Sequence, residues 1–138
     1  MWKTWFVTGA LLAALAVVLG AFGAHGLKDA FPDATTAEQS LRIFETGARY
    51  HMYHALGLLV CGLLIKSQGE RRLLKSCGWL FLIGIFLFSG SLYLLSTIEI
   101  TGLQSWKSFI GPLTPIGGLC FIAGWICLAA GAFRNKNL

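Results

Sequence analysis

The stretch WFVTGALLAALAVVLGAFGA at residues 5–24 decides the fold, because it is uncharged over a length that matches a lipid bilayer. A hydrocarbon core about 30 Å thick is crossed by about 20 apolar residues at the helical rise. Three more predominantly apolar stretches follow at 47–65, 74–97 and 115–133. We therefore predict an all-α fold with a single transmembrane domain over residues 1–138, an integral membrane four-helix bundle.

The composition agrees with a bundle surrounded by lipid. Hydrophobic residues make up 56% of the chain and charged residues 12%, whereas soluble domains carry about 25% charged residues. The net charge of +5 does not indicate a nucleic-acid partner, because the basic residues lie in short segments between apolar stretches. We expect the lipid bilayer as the main partner, with other membrane proteins or a second copy of the chain as further ones.

The basic residues predict the topology. Seven of the eleven Lys and Arg residues lie at the termini or in the loop between the second and third stretches. Since cytoplasmic loops carry an excess of Lys and Arg, both termini are predicted in the cytoplasm, and the chain in a bacterial inner membrane as a multi-pass protein. The four cysteines, all within predicted spans and without a C-x-x-C motif, are interpreted as buried structural thiols and not as a disulfide framework or a zinc site.

Two helix starts have sequence signals. Thr35 followed by Glu38 matches a capping box, which predicts that an amphipathic extension begins there and continues into the second span. Thr114 as N-cap with Pro115 at the first helical position predicts the start of the fourth span.

Small residues at regular spacing predict the helix-packing faces. They recur every four residues in the first span and every seven in the third and fourth, so that backbones can approach closely. The glycines predicted at helix contacts are Gly20, Gly84, Gly117, Gly124 and Gly131.

Polar residues within the spans concentrate in their outer halves, on all four helices. Polar groups in a membrane usually face the bundle interior, so we predict one outer-leaflet polar cluster that could bind a ligand. Its candidate members are His25, Tyr50, His51, His54, Ser89, Ser91, Tyr93 and Thr114.

His51 and His54 form an H-x-x-H motif, and His25 is expected near them. Imidazoles so placed can bind Zn²⁺ or Cu²⁺, and two on different helices can ligate haem. Hydrogen bonds between helices are the alternative use of these rings. No carboxylate completes a metal site, and no catalytic set of residues is found, so no metal is assigned, cofactors are left open and an enzyme is not expected.

Several motifs occur in order along nearly the whole chain, and they resemble the domain-of-unknown-function 423 (DUF423, UPF0382) family. These are small bacterial inner-membrane proteins with mitochondrial eukaryotic relatives. The motifs are Gly20-Ala-Phe-Gly-Ala-His25, Glu45-Thr-Gly-Ala-Arg-Tyr-His-Met-Tyr-His54, Phe88-Ser-Gly-Ser-Leu-Tyr93, Leu113-Thr-Pro-Ile-Gly-Gly118 and Ala123-Gly-Trp125.

The resemblance implies a four-helix membrane protein and no established activity. It also implies that the position of His51 can carry Gln, which weakens an obligatory H-x-x-H metal site. The family motif positions are His25, Thr46, Gly47, Tyr50, His54, Ser89, Gly90, Tyr93, Thr114, Pro115, Gly117 and Gly118.

Three functions stay open on the sequence. The favoured hypothesis is a non-enzymatic scaffold, or an assembly or auxiliary factor for a larger membrane complex. The alternative is a transporter of small molecules or protons, or a ligand-binding protein, that uses the outer polar cluster. The second alternative is a haem or metal redox protein.

Overall fold

The regular elements within residues 1–133, which the computed structural model describes, are all helical. Short 3₁₀ turns at Lys28–Ala30 and Gln104–Trp106 lie in the loops, and a π-helical turn at Ile85–Ser89 joins two helices into one rod, Arg72–Ser96. The helices are α1 (Trp2–His25), α2 (Ala34–Gln68), α3 (Arg72–Gly84), α4 (Gly90–Ser96), α5 (Ile98–Thr101), α6 (Lys107–Ile110) and α7 (Leu113–Phe133).

Three helical segments are long and apolar enough to cross a membrane: Trp2–His25, Arg72–Ser96 and Gln104–Phe133. α2 is the longest helix, with 35 residues, and contains the predicted stretch 47–65. Polar side chains between Arg49 and His54 lower its hydropathy. Its first three turns form the predicted extension, which is amphipathic.

α2 does not begin with the predicted capping box. Its N-cap is Asp33, whose Oδ1 accepts the backbone N–H of Thr36 at 2.9 Å and whose Oδ2 accepts the Thr36 hydroxyl at 2.7 Å. Glu38 bonds to Arg42 at 2.6 Å instead of reaching back to the helix start. The prediction of Thr35 as the cap was therefore wrong by two residues, because the Asp33 carboxylate caps the Thr36 N–H and starts the helix earlier.

Thr114 is not an N-cap either. α7 begins at Leu113, and the Thr114 hydroxyl lies 2.7 Å from the Ser91 hydroxyl on α4. A partner on a neighbouring helix replaces the local backbone bond that a cap would make.

The helices pack in chain order. α1 packs on α2, α2 packs on the α3–α4 rod, and α7 packs on that rod next to α2. A single apolar cluster runs across these contacts, with Phe81 of α3 at its centre and completely buried. A Cβ added to Gly57 of α2 would lie 2.8 Å from the Phe81 ring, and one added to Gly124 of α7 would lie 2.6 Å from it. Phe81 therefore packs between two glycines on two helices.

Three glycines of α7 contact three residues of the rod, and both sets recur every seven residues. Cβ atoms built on Gly117, Gly124 and Gly131 would meet Phe88, Phe81 and Leu74, in that order, all at 2.9 Å or closer. At Gly84 the glycine is on the rod and the aromatic ring on α7, since a Cβ added to Gly84 would lie 2.5 Å from the Phe121 ring. Four of the five predicted packing glycines thus lie at close helix contacts.

Gly20 is the exception, and its prediction was wrong. A Cβ on Gly20 would meet no atom within 4 Å. The face of α1 that contacts α2 carries Gly9, Ala16 and Gly23, again seven residues apart, and a Cβ on Gly9 would lie 2.8 Å from the Ala55 carbonyl oxygen. Gly20 is four residues beyond Ala16 and lies about 40° off that face.

Candidate functional site

His54 is the most highly connected polar side chain in the structure's described part. Its Nδ1 lies 2.7 Å from the Tyr50 carbonyl oxygen, one turn earlier on α2, and its Nε2 lies 3.1 Å from the indole Nε1 of Trp125 on α7. A carbonyl can only accept and an indole N–H can only donate. The two partners therefore require a neutral imidazole with its hydrogen on Nδ1, and both ring nitrogens are engaged.

Ring packing, in addition to the hydrogen bonds, holds the His54 side chain in place. The imidazole is parallel to the Phe121 ring, with centroids 3.3 Å apart, and meets the Phe81 ring edge-on at 5.4 Å. Only 4% of His54 is exposed. The side chain thus joins α2, α3 and α7 at one point.

A groove of about 460 Å³ opens beside this histidine, between α2 and α7. We call it the His54 groove. Its walls are mostly aromatic, and the phenol rings of Tyr50 and Tyr53 and the Trp125 indole are partly exposed along it. Aromatic walls with few polar atoms suit an apolar or amphipathic molecule. The lining residues are Tyr50, Tyr53, His54, Phe88, Gly118, Phe121, Ile122 and Trp125.

His51 makes a separate contact with the third segment. Its Nδ1 lies 3.1 Å from the Tyr93 hydroxyl on α4, and only 2% of the residue is exposed. The other ring nitrogen, Nε2, is buried without a hydrogen-bond partner among residues 1–133. His51 and His54 therefore tie α2 to different helices.

The π-helical turn positions the serines. It ends at Ser89, whose hydroxyl is completely buried and has no partner within the described chain, and it is followed by Ser91, which bonds to Thr114. π-helical turns add a residue to a helix turn and often occur at functional sites. Here the turn separates Phe81, the contact residue of α3, from Ser91 and Tyr93, the contact residues of α4.

The predicted cluster is thus not one site. Tyr50 and His54 lie together in the His54 groove, His51 contacts Tyr93, and Ser91 contacts Thr114, while the Ser89 hydroxyl has no partner among residues 1–133. His25 belongs to none of them and is exposed at the end of α1. The reason is its direction, since it lies about 200° around the helix from Gly23, which faces α2. Its inclusion in the cluster was wrong.

Sequence reasoning missed Trp125 and Phe121, the two α7 residues that hold the His54 ring. A signal was present, because a tryptophan in the middle of an apolar span carries an N–H that needs an acceptor. Trp125 also belongs to the Ala123-Gly-Trp125 motif. Within residues 1–133, no three His, Cys, Asp or Glu side chains are gathered as a metal site would need.

Comparison with known proteins agrees with the motifs. A family model described as "Protein of unknown function (DUF423)" matches residues 19–118, which include His51, His54 and Thr114. The chain belongs to the DUF423 family. The match confirms the resemblance seen in the sequence.

DUF423 relatives with the name UPF0382 membrane protein align with almost the full chain. YwdK of Bacillus subtilis is 44% identical over 96% of this chain and 98% of its own length. A protein of Staphylococcus saprophyticus is 40% identical over 96% and 98%, and one of Haemophilus influenzae is 39% identical over 94% and 93%. No solved structure matches. Apolar helices and these relatives together identify the chain as a membrane protein.

Proposed function

We propose that the chain crosses the bacterial inner membrane four times, with both termini in the cytoplasm. α2 lies between α1 and the α3–α4 rod, both of spanning length, and it contains a predominantly apolar stretch of similar length. Its two histidines are buried and bonded to neighbouring helices, which reduces the cost of polar groups at membrane depth. The excess of basic residues on one side supports the orientation.

Within that topology we propose a non-enzymatic role, as a scaffold or assembly factor for other membrane proteins. One observation carries this proposal: both nitrogens of His54 are engaged in structural bonds, Nδ1 with the Tyr50 carbonyl of the same helix and Nε2 with Trp125 of α7. An imidazole so engaged has no free lone pair for proton transfer, a metal or haem iron while the Trp125 bond stands. The chemistry of the chain's best-placed histidine is therefore structural.

The surface for a partner is supplied by the two outer helices. α1 has α2 as its main neighbour, and its opposite face presents Leu11, Val17 and Val18, each more than 60% exposed. α7 presents Ile126 in the same way, at 64%. In a membrane, a face of this kind associates with another helix through van der Waals packing of complementary shapes.

Photo-crosslinking in native membranes tests the scaffold role. A benzoylphenylalanine placed at Leu11 or at Ile126 should give, from at least one position, a protein adduct of a single reproducible mass. The same position in detergent-dispersed protein at low concentration is the control and should lose the adduct. Lipid adducts alone from both positions would contradict a scaffold.

The His54 groove favours a second candidate, the binding of a lipid-soluble molecule. Gly118→Leu is a direct test, because a Cβ at Gly118 would lie in ordinary contact with Phe88, at 3.7 Å, while the longer side chain enters the groove. A molecule held there should be found by mass spectrometry with the purified wild type and be lost from this variant. Gly20→Leu, at an open position, should retain it. Equal content in all three proteins would exclude the groove as a binding site.

A further inference from the structure

Two thiols meet in the core on the far side of Phe81 from the His54 groove. The Sγ atoms of Cys61 on α2 and Cys77 on α3 are 2.8 Å apart, and both residues are 0% exposed. We propose that this pair is an oxidative modification site, which a small peroxide converts to a reversible disulfide between α2 and α3. The inference is independent of the proposed function.

The α2–α3 hairpin brings the two cysteines to one level. α2 ends at Gln68, Gly69 takes a positive φ of 84° in the tight turn, and α3 begins at Arg72. Cys61 lies about 10 Å along α2 from the turn and Cys77 about 8 Å along α3, at the helical rise. Antiparallel helices therefore hold the sulfurs side by side.

The surroundings select the oxidant. Leu58, Ile65, Leu74 and Phe81 enclose the pair, so a bulky or charged oxidant is excluded. Hydrogen peroxide is small and uncharged, and is the class of oxidant that fits. Cys127 of α7 packs at the edge of the same cluster and is the competing thiol.

The reaction balances in two steps. The first thiol attacks one peroxide oxygen, the O–O bond breaks, and a sulfenic acid and one water are formed. The second thiol then attacks that sulfur, the S–O bond breaks, and the disulfide forms with release of a second water. Peroxide is reduced by two electrons and the two thiols are oxidised by two. A thiol reductant restores both cysteines by exchange.

Counting free thiols in intact membranes tests the proposal. Membranes are treated with hydrogen peroxide, quenched, denatured in SDS and labelled with a maleimide-polyethylene glycol that retards each labelled chain on a gel. The wild type carries four cysteines, so the untreated protein should take four labels. The treated protein should take two, and dithiothreitol before labelling should restore four.

Variants identify the partners. The double variant Cys120→Ala, Cys127→Ala keeps only the proposed pair and should change from two labels to none. Cys77→Ser should form no disulfide at Cys61 after treatment, because Cys61 has then lost its partner. Peptide mapping should show a loss of two hydrogens on a peptide pair that joins Cys61 to Cys77.

Four labels after treatment, a loss that dithiothreitol does not reverse, or a disulfide that includes Cys127 would each overturn the proposal. The double variant keeps the test valid if Cys77→Ser fails to fold, because it leaves both core thiols in place.

Discussion

The indole N–H of Trp125 on α7 donates to Nε2 of His54 on α2 over 3.1 Å, and this bond joins two helices that both pack on the α3–α4 rod. Because the hydrogen on Nδ1 is already committed to the Tyr50 carbonyl, Nε2 has to accept. The bond therefore fixes the rotation of α7 relative to α2 as well as their distance.

Trp125→Phe should destabilise the protein by about 1–2 kcal/mol, because it leaves the buried Nε2 of His54 without a donor. Trp106→Phe is the matched control, since the Trp106 side chain is 57% exposed and should change stability by less than about 0.5 kcal/mol. Unfolding in mixed micelles of increasing SDS content gives both values. Equal losses in the two variants would mean that the hydrogen bond contributes nothing.

Gly117→Ala should destabilise the protein by about 1–3 kcal/mol, because the new methyl group would overlap the backbone nitrogen of Phe88, which cannot rotate away. Gly20→Ala is the control and should be neutral or stabilising by up to about 1 kcal/mol, since alanine favours helices and Gly20 has open space. Gly124→Leu should be more disruptive than either. A Gly117→Ala protein as stable as the Gly20→Ala protein would contradict the packing of α7.

Low pH should remove the hydrogen bonds with which Asp33 caps the start of α2. Hydrogen bonds from the Thr36 backbone N–H and then its hydroxyl lower the pKa of Asp33, so the cap is fully formed above the unfolded pKa of about 4 and is lost as the pH falls through the folded value. The Thr36 amide NMR shift should therefore titrate only below about pH 4. In Asp33→Asn, where the cap carries no ionisable group, it should stay constant, and a titration that persists would assign the effect to another group.

Accessibility labelling checks the proposed topology. In a protein without native cysteines, Asp33→Cys should react with an impermeant external reagent, and Ser67→Cys should react only after the membrane is permeabilised. Both positions lie at the ends of α2, so the two results together determine its direction. The reverse pattern would invert the orientation, and labelling of both from outside would remove α2 as a span.

The helices themselves could be predicted from the sequence, because apolar length is a local property. The packing faces of the third segment and α7 followed from a seven-residue period, whereas a four-residue period misled the prediction for α1. Ala16 belongs to both patterns in α1, and the contacts of Gly9 with Ala55 and of Gly23 with Phe44 decide between them. Such contacts depend on the rotation of α1 relative to α2, and the residue pattern of one helix does not determine that rotation.

The sequence predicted several residues of the candidate site but not which residues contact each other. His54, Tyr93 and Thr114 were candidates, yet their partners depend on a backbone carbonyl, a neighbouring helix and the π-helical turn before Gly90. A π-helical turn contains one extra residue, so every side chain after it is rotated around the helix axis. A projection with 3.6 residues per turn therefore gives the wrong direction for Tyr93 relative to Phe81.

Packing in chain order has a consequence for biogenesis. As the ribosome delivers each helix, its main neighbour is the helix released just before it, so assembly can follow the order of synthesis. Contacts between neighbours in sequence also form faster than distant ones. α7, which follows the rod in the chain, then meets a surface of Phe88, Phe81 and Leu74 that is already in place, and its row of glycines packs against it.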